Sequence, residues 1–88
     1  MSFGITIEKY TYANTIIDYC QWPEFFEFFK AKEGRIEYYK RYFYTPDILQ
    51  ELVDFLHTQD NEYLEDWIGY IEDELSYKPD VKYIVYFG

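Results

Sequence analysis

The stretch that decides the fold runs from position 42 to position 77 and reads YFYTPDILQELVDFLHTQDNEYLEDWIGYIEDELSY. It contains no lysine or arginine but ten carboxylates, which are Asp47, Glu51, Asp54, Asp60, Glu62, Glu65, Asp66, Glu72, Asp73 and Glu74. The other 52 residues carry seven carboxylates and eight lysine or arginine residues, a formal net charge of +1, whereas the whole chain has a net charge of -9. The acidity is therefore local, and charge placed in this way indicates a surface.

The first half of this stretch predicts an amphipathic helix. Thr45 offers a capping oxygen, Pro46 suits the first helical position, and the helix should end near His57. At about 100° per residue, its carboxylates Asp47, Glu51 and Asp54 fall within an arc of about 60°. The opposite side carries the apolar residues Ile48, Leu49, Leu52, Val53 and Leu56. This helix should bury one side and expose the acidic one.

The second half predicts another two-faced helix, capped by Asp60 or Asn61 and ending near Leu75. Its apolar arc consists of Leu64, Trp67, Ile68, Ile71 and Leu75. Because the connection over residues 58–60 is short, the two helices should be antiparallel neighbours that expose adjacent rows of carboxylates. We call these outward carboxylates the acidic face, which comprises Asp47, Glu51, Asp54, Glu62, Glu65, Asp66, Glu72 and Asp73.

The rest of the chain predicts three strands and one further helix. Alternating residues predict a strand over 3–12, aromatic residues with high strand propensity predict a second over 35–44, and residues 81–87 predict a third. A helix should begin at Pro23 and end at Gly34, whereas residues 14–22 fit either a short helix or an irregular segment. The order β-α-β-α-α-β describes an α+β domain with a small three-stranded, mainly antiparallel sheet and its helices on one face.

Length and composition limit the kinds of protein that this chain can be. At 88 residues it should form one compact domain over positions 1–88, with twelve Tyr and eight Phe to fill the core. Its single cysteine, Cys20, excludes an internal disulfide framework, and no leader or membrane-spanning run is visible, so we expect a cytoplasmic protein. An acidic surface repels anionic lipid and nucleic acid, which disfavours direct binding to a membrane, DNA or RNA.

No residue pattern specifies a reaction. His57 is the only histidine and is distant in sequence from Cys20, so no catalytic pair is predicted. The acidic runs over 60–62 and 72–74 lack the glycine and terminal glutamate of an EF-hand loop, and no P-loop, GxGxxG, CxxC or GxSxG motif is present. We therefore expect a protein that is not an enzyme, with no catalytic residue, metal or cofactor.

The acidic face suggests a partner that normally binds nucleic acid. Carboxylates on successive helical turns lie about 5 to 6 Å apart, which roughly suits lysines and arginines arranged for phosphates. Tyr63 and Tyr70 flank the acidic arc as candidate aromatic anchors. In size, acidity and segregated charge the chain resembles phage inhibitors that mimic DNA against restriction or CRISPR nucleases, and more loosely acidic immunity proteins and antitoxins. The resemblance implies an inhibitor that acts in the host cytoplasm and binds the basic surface of a nuclease complex.

Three other interpretations stay open. The acidic face can be a merely solvated surface, because charge runs most often are. A structural or assembly module would form a homodimer or hetero-oligomer through exposed strand aromatics, which are Tyr38, Tyr42 and Tyr44 or Tyr83 and Phe87. A small catalytic subunit would depend on His57.

Overall fold

The computed structural model describes residues 4–10 and 14–88 and has the α+β class that the sequence predicts. Its elements in chain order are β1 (Ile5–Lys9), β2 (Thr15–Cys20), α1 (Pro23–Glu33), β3 (Tyr42–Tyr44), α2 (Pro46–His57), a 3₁₀ turn (Glu62–Leu64), α3 (Glu65–Ser76) and β4 (Tyr83–Phe87). The described strands form one antiparallel sheet in the order β2-β1-β4-β3. The prediction of three strands in the order β-α-β-α-α-β is therefore wrong, since the sheet has four.

The strand that the sequence analysis missed is β2, in the segment expected to be a short helix or irregular. Thr15, Ile16 and Ile17 are β-branched, which favours a strand. β2 pairs with β1, but the register shifts twice, once on each side of Ile7. Such bulges break the alternation by which a strand is recognised in a sequence, and they explain why the pattern was ambiguous.

The other strands are shorter than predicted. β1 covers Ile5–Lys9, whereas the predicted strand covered residues 3–12. Of these predicted positions, Phe3, Thr11 and Tyr12 lie outside the described residues. The strand predicted over 35–44 is reduced to Tyr42–Tyr44, because Tyr39 lies in a turn with φ 65°, which an extended strand does not accommodate. β4 begins two residues later than expected, at Tyr83.

The three helices lie close to their predicted positions. α1 ends at Glu33, and Gly34, with φ 75°, donates its backbone N–H to the carbonyl of Lys30 at 2.7 Å. Asn61 caps the turn before α3, since its Oδ1 accepts the N–H of Tyr63 at 3.0 Å. The cap predicted for Thr45 is wrong, because its side chain makes no capping hydrogen bond. Within 4–10 and 14–88, none of the helices is long and apolar enough to cross a membrane.

The strand register divides the sheet into a covered face and an open face. Val85 pairs with Ile7 and Tyr42, and all three side chains are buried beneath the helices. The neighbouring residue Ile84 pairs with Glu8 and Phe43, so it points to the opposite, open face. The helices therefore cover one face of the sheet.

This register contradicts the residues expected for an assembly interface. Tyr42, Tyr44, Tyr83 and Phe87 are only 6%, 8%, 0% and 0% exposed, because they belong to the covered face. Tyr38, at 46%, is the one member of that set that is exposed. Tyr10 and Phe43 do reach the open face, where they are 61% and 52% exposed.

Aromatic rings fill the space between the sheet and α1. The ring of Phe87 meets the rings of Phe26, Phe29 and Tyr42 with centroid separations of 5.8, 5.9 and 6.0 Å. All three pairs are close to perpendicular, the edge-to-face arrangement that aromatic quadrupoles favour. The phenylalanines of α1 thus hold this helix against the last strand.

Candidate acidic interface

α2 and α3 pack against each other and bury the apolar sides predicted for them. Leu52 and Ile71 are both 0% exposed, and Leu56 and Ile68 are 1% and 5% exposed. Burying a large apolar side chain stabilises a fold by about 1.5 to 3 kcal/mol, so these contacts hold the helices in place. The carboxylates are left on the outside of this rigid pair.

Every member of the acidic face is exposed. The group comprises Asp47, Glu51 and Asp54 on α2, Glu62 in the 3₁₀ turn, and Glu65, Asp66, Glu72 and Asp73 on α3. The structure therefore brings together on one pair of helices the carboxylates that the sequence analysis selected. Their chemistry is that of a surface with several solvated negative charges and no buried acid.

Two basic side chains, Lys32 and His57, touch the acidic face within the described residues. Lys32 at the end of α1 forms an ion pair with Glu51, and Nε2 of His57 lies 3.5 Å from Oε2 of Glu72. Both pairs are at the surface, where such contacts contribute about 0 to 1 kcal/mol. Asp47, Glu62, Glu65, Asp66 and Asp73 make no ion pair within the described part of the chain. Most of the negative charge on this surface is thus uncompensated.

Glu74 differs from the other carboxylates of the acidic stretch because it is buried, with 7% of its surface exposed. Its Oε2 accepts a hydrogen bond from the hydroxyl of Tyr83 at 2.6 Å and lies 3.0 Å from Nζ of Lys9. Burial and the nearby carboxylate hold the pKa of Tyr83 well above its usual range, so the hydroxyl stays protonated and donates. Glu74 therefore ties α3 to β1 and β4, whereas Asp60 stays exposed in the turn between α2 and α3.

The predicted anchors Tyr63 and Tyr70 are 67% and 56% exposed beside the acidic face. Tyr63 stacks on Trp22, with centroids 5.7 Å apart and planes 8° from parallel, and Tyr70 meets Trp67 edge to face at 6.0 Å. Sequence reasoning missed Trp22, because it ends the segment whose structure was ambiguous. The anchors are thus part of a larger aromatic surface on this side of α3.

A shallow cleft of about 320 Å³ adjoins this aromatic surface. Its lining consists of Tyr19, Gln21, Trp22 and Trp67, and we call it the aromatic cleft. Behind it, Asn61 Nδ2 donates to Oε2 of Glu24 at 3.1 Å, which links the turn before α3 to the first turn of α1. The cleft therefore lies where β2, α1 and α3 meet.

Cys20 and His57, the two residues considered for a catalytic pair, lie in different surroundings. Cys20 is 0% exposed, and burial raises the pKa of its thiol to about 11, so it is a neutral thiol at neutral pH. His57 is exposed and contacts Glu72 instead. In the part of the chain that the structure describes, no group of three or more His, Cys, Asp or Glu side chains is placed to hold a metal ion.

Comparison with known proteins gives no relative: no protein family, curated protein or solved structure matches this chain.

Proposed function

We propose that this protein is a non-enzymatic inhibitor whose acidic face occupies the basic nucleic-acid-binding surface of another protein. The observation that carries the proposal is the exposure of all eight selected carboxylates on α2, α3 and the turn between them, none of which contains lysine or arginine. The proposed partner is a nuclease complex of a host defence system. The inhibitor would be encoded by a phage, act in the host cytoplasm and imitate DNA, as anti-restriction and anti-CRISPR proteins do.

Fold stability does not account for this arrangement of charge. Like charges at neighbouring helical positions cost about 0.2 to 0.5 kcal/mol per pair, and lysines placed among them would remove that cost. Exposed positions such as Asp66 and Asp73 could carry lysine without disturbing the buried side of α3. Selection for contact with a cationic surface explains why they do not, since complementary charge increases association rate and specificity.

Competition by nucleic acid tests the proposal directly. A partner captured from host lysate on the immobilised protein should be released by duplex DNA or RNA of the type that the partner normally binds. Its affinity for this protein should also fall steeply between about 50 and 200 mM salt, as screening weakens contacts between exposed charges. A partner that binds this protein and its nucleic acid at the same time, with no loss of affinity for either, would contradict the proposal.

A second candidate function, assembly through the open sheet face, is supported by the rings of Tyr10 and Phe43. They are mostly exposed and meet edge to face at 5.8 Å, and the half-buried Ile84 and Tyr86 lie on the same face. If assembly is the function, light scattering at high concentration should give the mass of a dimer, and Phe43→Ser should reduce it to the mass of one chain. A single-chain mass at every concentration would count against self-assembly and favour the inhibitor.

A further inference from the structure

The aromatic cleft is framed by the flat faces and edges of large rings. Trp22 and Trp67 line it, and each contacts other rings: Trp22 is stacked on Tyr63, and Trp67 meets Phe25 edge to face at 6.4 Å and Tyr70 at 6.0 Å. Both tryptophans are partly exposed, so part of each indole surface is open to a ligand.

An unusual backbone conformation brings a third aromatic residue, Tyr19, to the edge of the cleft. β2 has one more residue than β1 between the pairs Ile5–Cys20 and Ile7–Ile17, and Tyr19 in this bulge has φ 54°. A residue other than glycine rarely adopts a positive φ, and residues that do so cluster at functional sites. The Tyr19 ring also lies over Gly4, where any Cβ would overlap it. Gly4 pairs with Gly88 and shares the open face of the sheet with Thr6 and Glu8, so the Tyr19 ring lies on that face, beside the two tryptophans of the cleft and not between them.

The cleft adjoins negative charge on α3. No lysine or arginine lines it, and the exposed carboxylate Asp66 lies on the same helix as the lining residue Trp67. On α3, Asp66 and Tyr70 are four residues apart and therefore neighbours on the helix surface, which makes the cleft continuous with the acidic face. Aromatic faces with carboxylates at their margin form a site for a cation that has a flat, weakly hydrated surface.

We propose that the aromatic cleft receives an arginine side chain of the basic partner, an inference that rests on the proposed function. The guanidinium group is planar, stacks on tryptophan and tyrosine, and is more weakly hydrated than the ammonium group of lysine. Its N–H groups can donate to the side-chain oxygen of Gln21 in the lining and to the carboxylates at the margin. Arginine is abundant on surfaces that bind phosphates, so the acidic face and the cleft recognise the same partner.

Two peptides of equal charge test this proposal. We expect nona-arginine to bind the full chain roughly two- to tenfold more tightly than nona-lysine in low salt, because only arginine gains the stacking contact. The chain has two tryptophans, and both line the cleft, so tryptophan emission, excited at a wavelength that tyrosine does not absorb, reports on this site. Nona-arginine should change the emission, whereas nona-lysine should bind with little change.

Variants of the cleft should remove the preference for arginine without removing binding. Trp22→Leu and Trp67→Leu each delete one of the two indole walls, so calorimetry should give each variant similar affinities for nona-arginine and nona-lysine. Tyr77→Leu is the matched control, since Tyr77 is 73% exposed just after α3 and lies outside the cleft. It should keep the full preference, and thermal unfolding of each variant identifies any that does not fold.

The outcomes separate this proposal from the one on which it rests. Equal binding of both peptides to the unaltered chain, with no change in emission, would overturn the arginine site and leave the acidic face as the binding surface. A parallel loss of affinity for both peptides in Trp22→Leu would also overturn it. Failure of both peptides to bind in low salt would refute the proposed function itself, together with the arginine site.

Discussion

Replacing Glu62, Asp66 and Asp73 together by lysine is expected to abolish binding to the basic partner. Each replacement exchanges a negative for a positive charge, so the formal net charge changes from -9 to -3. The three side chains are exposed, and each reversal turns an attraction to the partner into a repulsion of about 1 kcal/mol or more. The combined loss of affinity should be on the order of a hundredfold or more, measured by calorimetry or by inhibition of the partner's nuclease activity.

The same triple variant should fold normally, because none of the replaced side chains belongs to the core. Its helical circular dichroism should be unchanged and its unfolding free energy should stay within about 0.5 kcal/mol of the original. Glu37→Lys combined with Asp80→Lys is the control, since both residues are exposed and lie outside α2 and α3. The control should change the affinity by less than about threefold, through long-range charge alone. An unchanged affinity of the triple variant would rule out the acidic face as the contact surface.

Glu74→Ala should cause the largest loss of stability among the acidic residues. The substitution leaves the hydroxyl of Tyr83, which is 0% exposed, without its acceptor and removes the ion-pair partner of Lys9. Leaving such groups unpaired costs about 2 to 4 kcal/mol, a range that already allows for the partial exposure of Lys9. This cost is a large part of the roughly 5 to 15 kcal/mol that stabilises a typical domain. Urea denaturation monitored by circular dichroism measures the change.

Asp73→Ala is the matched control for Glu74→Ala, because Asp73 is the preceding residue of α3 but is exposed. It should change the unfolding free energy by less than about 0.5 kcal/mol. The unfolding free energy of Glu74→Gln should lie between those of Glu74→Ala and Asp73→Ala. Its amide oxygen can still accept a hydrogen bond from Tyr83, whereas the attraction to Lys9 is lost. Equal stability of the Glu74→Ala and Asp73→Ala variants would contradict the structural role assigned to Glu74.

The helical part of the fold could be predicted from the sequence because its signals are local. Apolar residues of α2 recur with the helical period, at Leu49, Leu52, Val53 and Leu56. The carboxylates between them therefore lie on the outer side of the helix. The acidic face follows from this periodicity alone. What periodicity cannot show is which distant residue reaches that face, and the ion pair from Lys32 of α1 to Glu51 was missed for this reason.

The sheet could be predicted only in part, because its geometry depends on pairing between distant segments. The bulges of β2 and the turn at Tyr39 interrupt the alternation that identifies a strand, so one strand was missed and another was made too long. The sequence analysis also chose the wrong side chains of β3 as exposed, because in a run of aromatic residues nothing distinguishes the buried positions from the exposed ones. The sequence did contain a signal for the buried position of Glu74. Lys9 shares the covered face of β1 with Ile5 and Ile7, and a lysine on that face needs a carboxylate partner.

The pairing of β1 with β4 has a consequence for the order in which the molecule forms. Ile5 and Phe87 are partners although they lie about 80 residues apart, and closing so long a loop costs more entropy than forming neighbouring helices. α2 and α3, in contrast, are adjacent in the chain and pack through local contacts. We therefore expect the helical pair to organise first and the centre of the sheet to close last. The carboxylates of the acidic face then belong to the region that forms first, and we expect completion of the sheet to determine the folding rate.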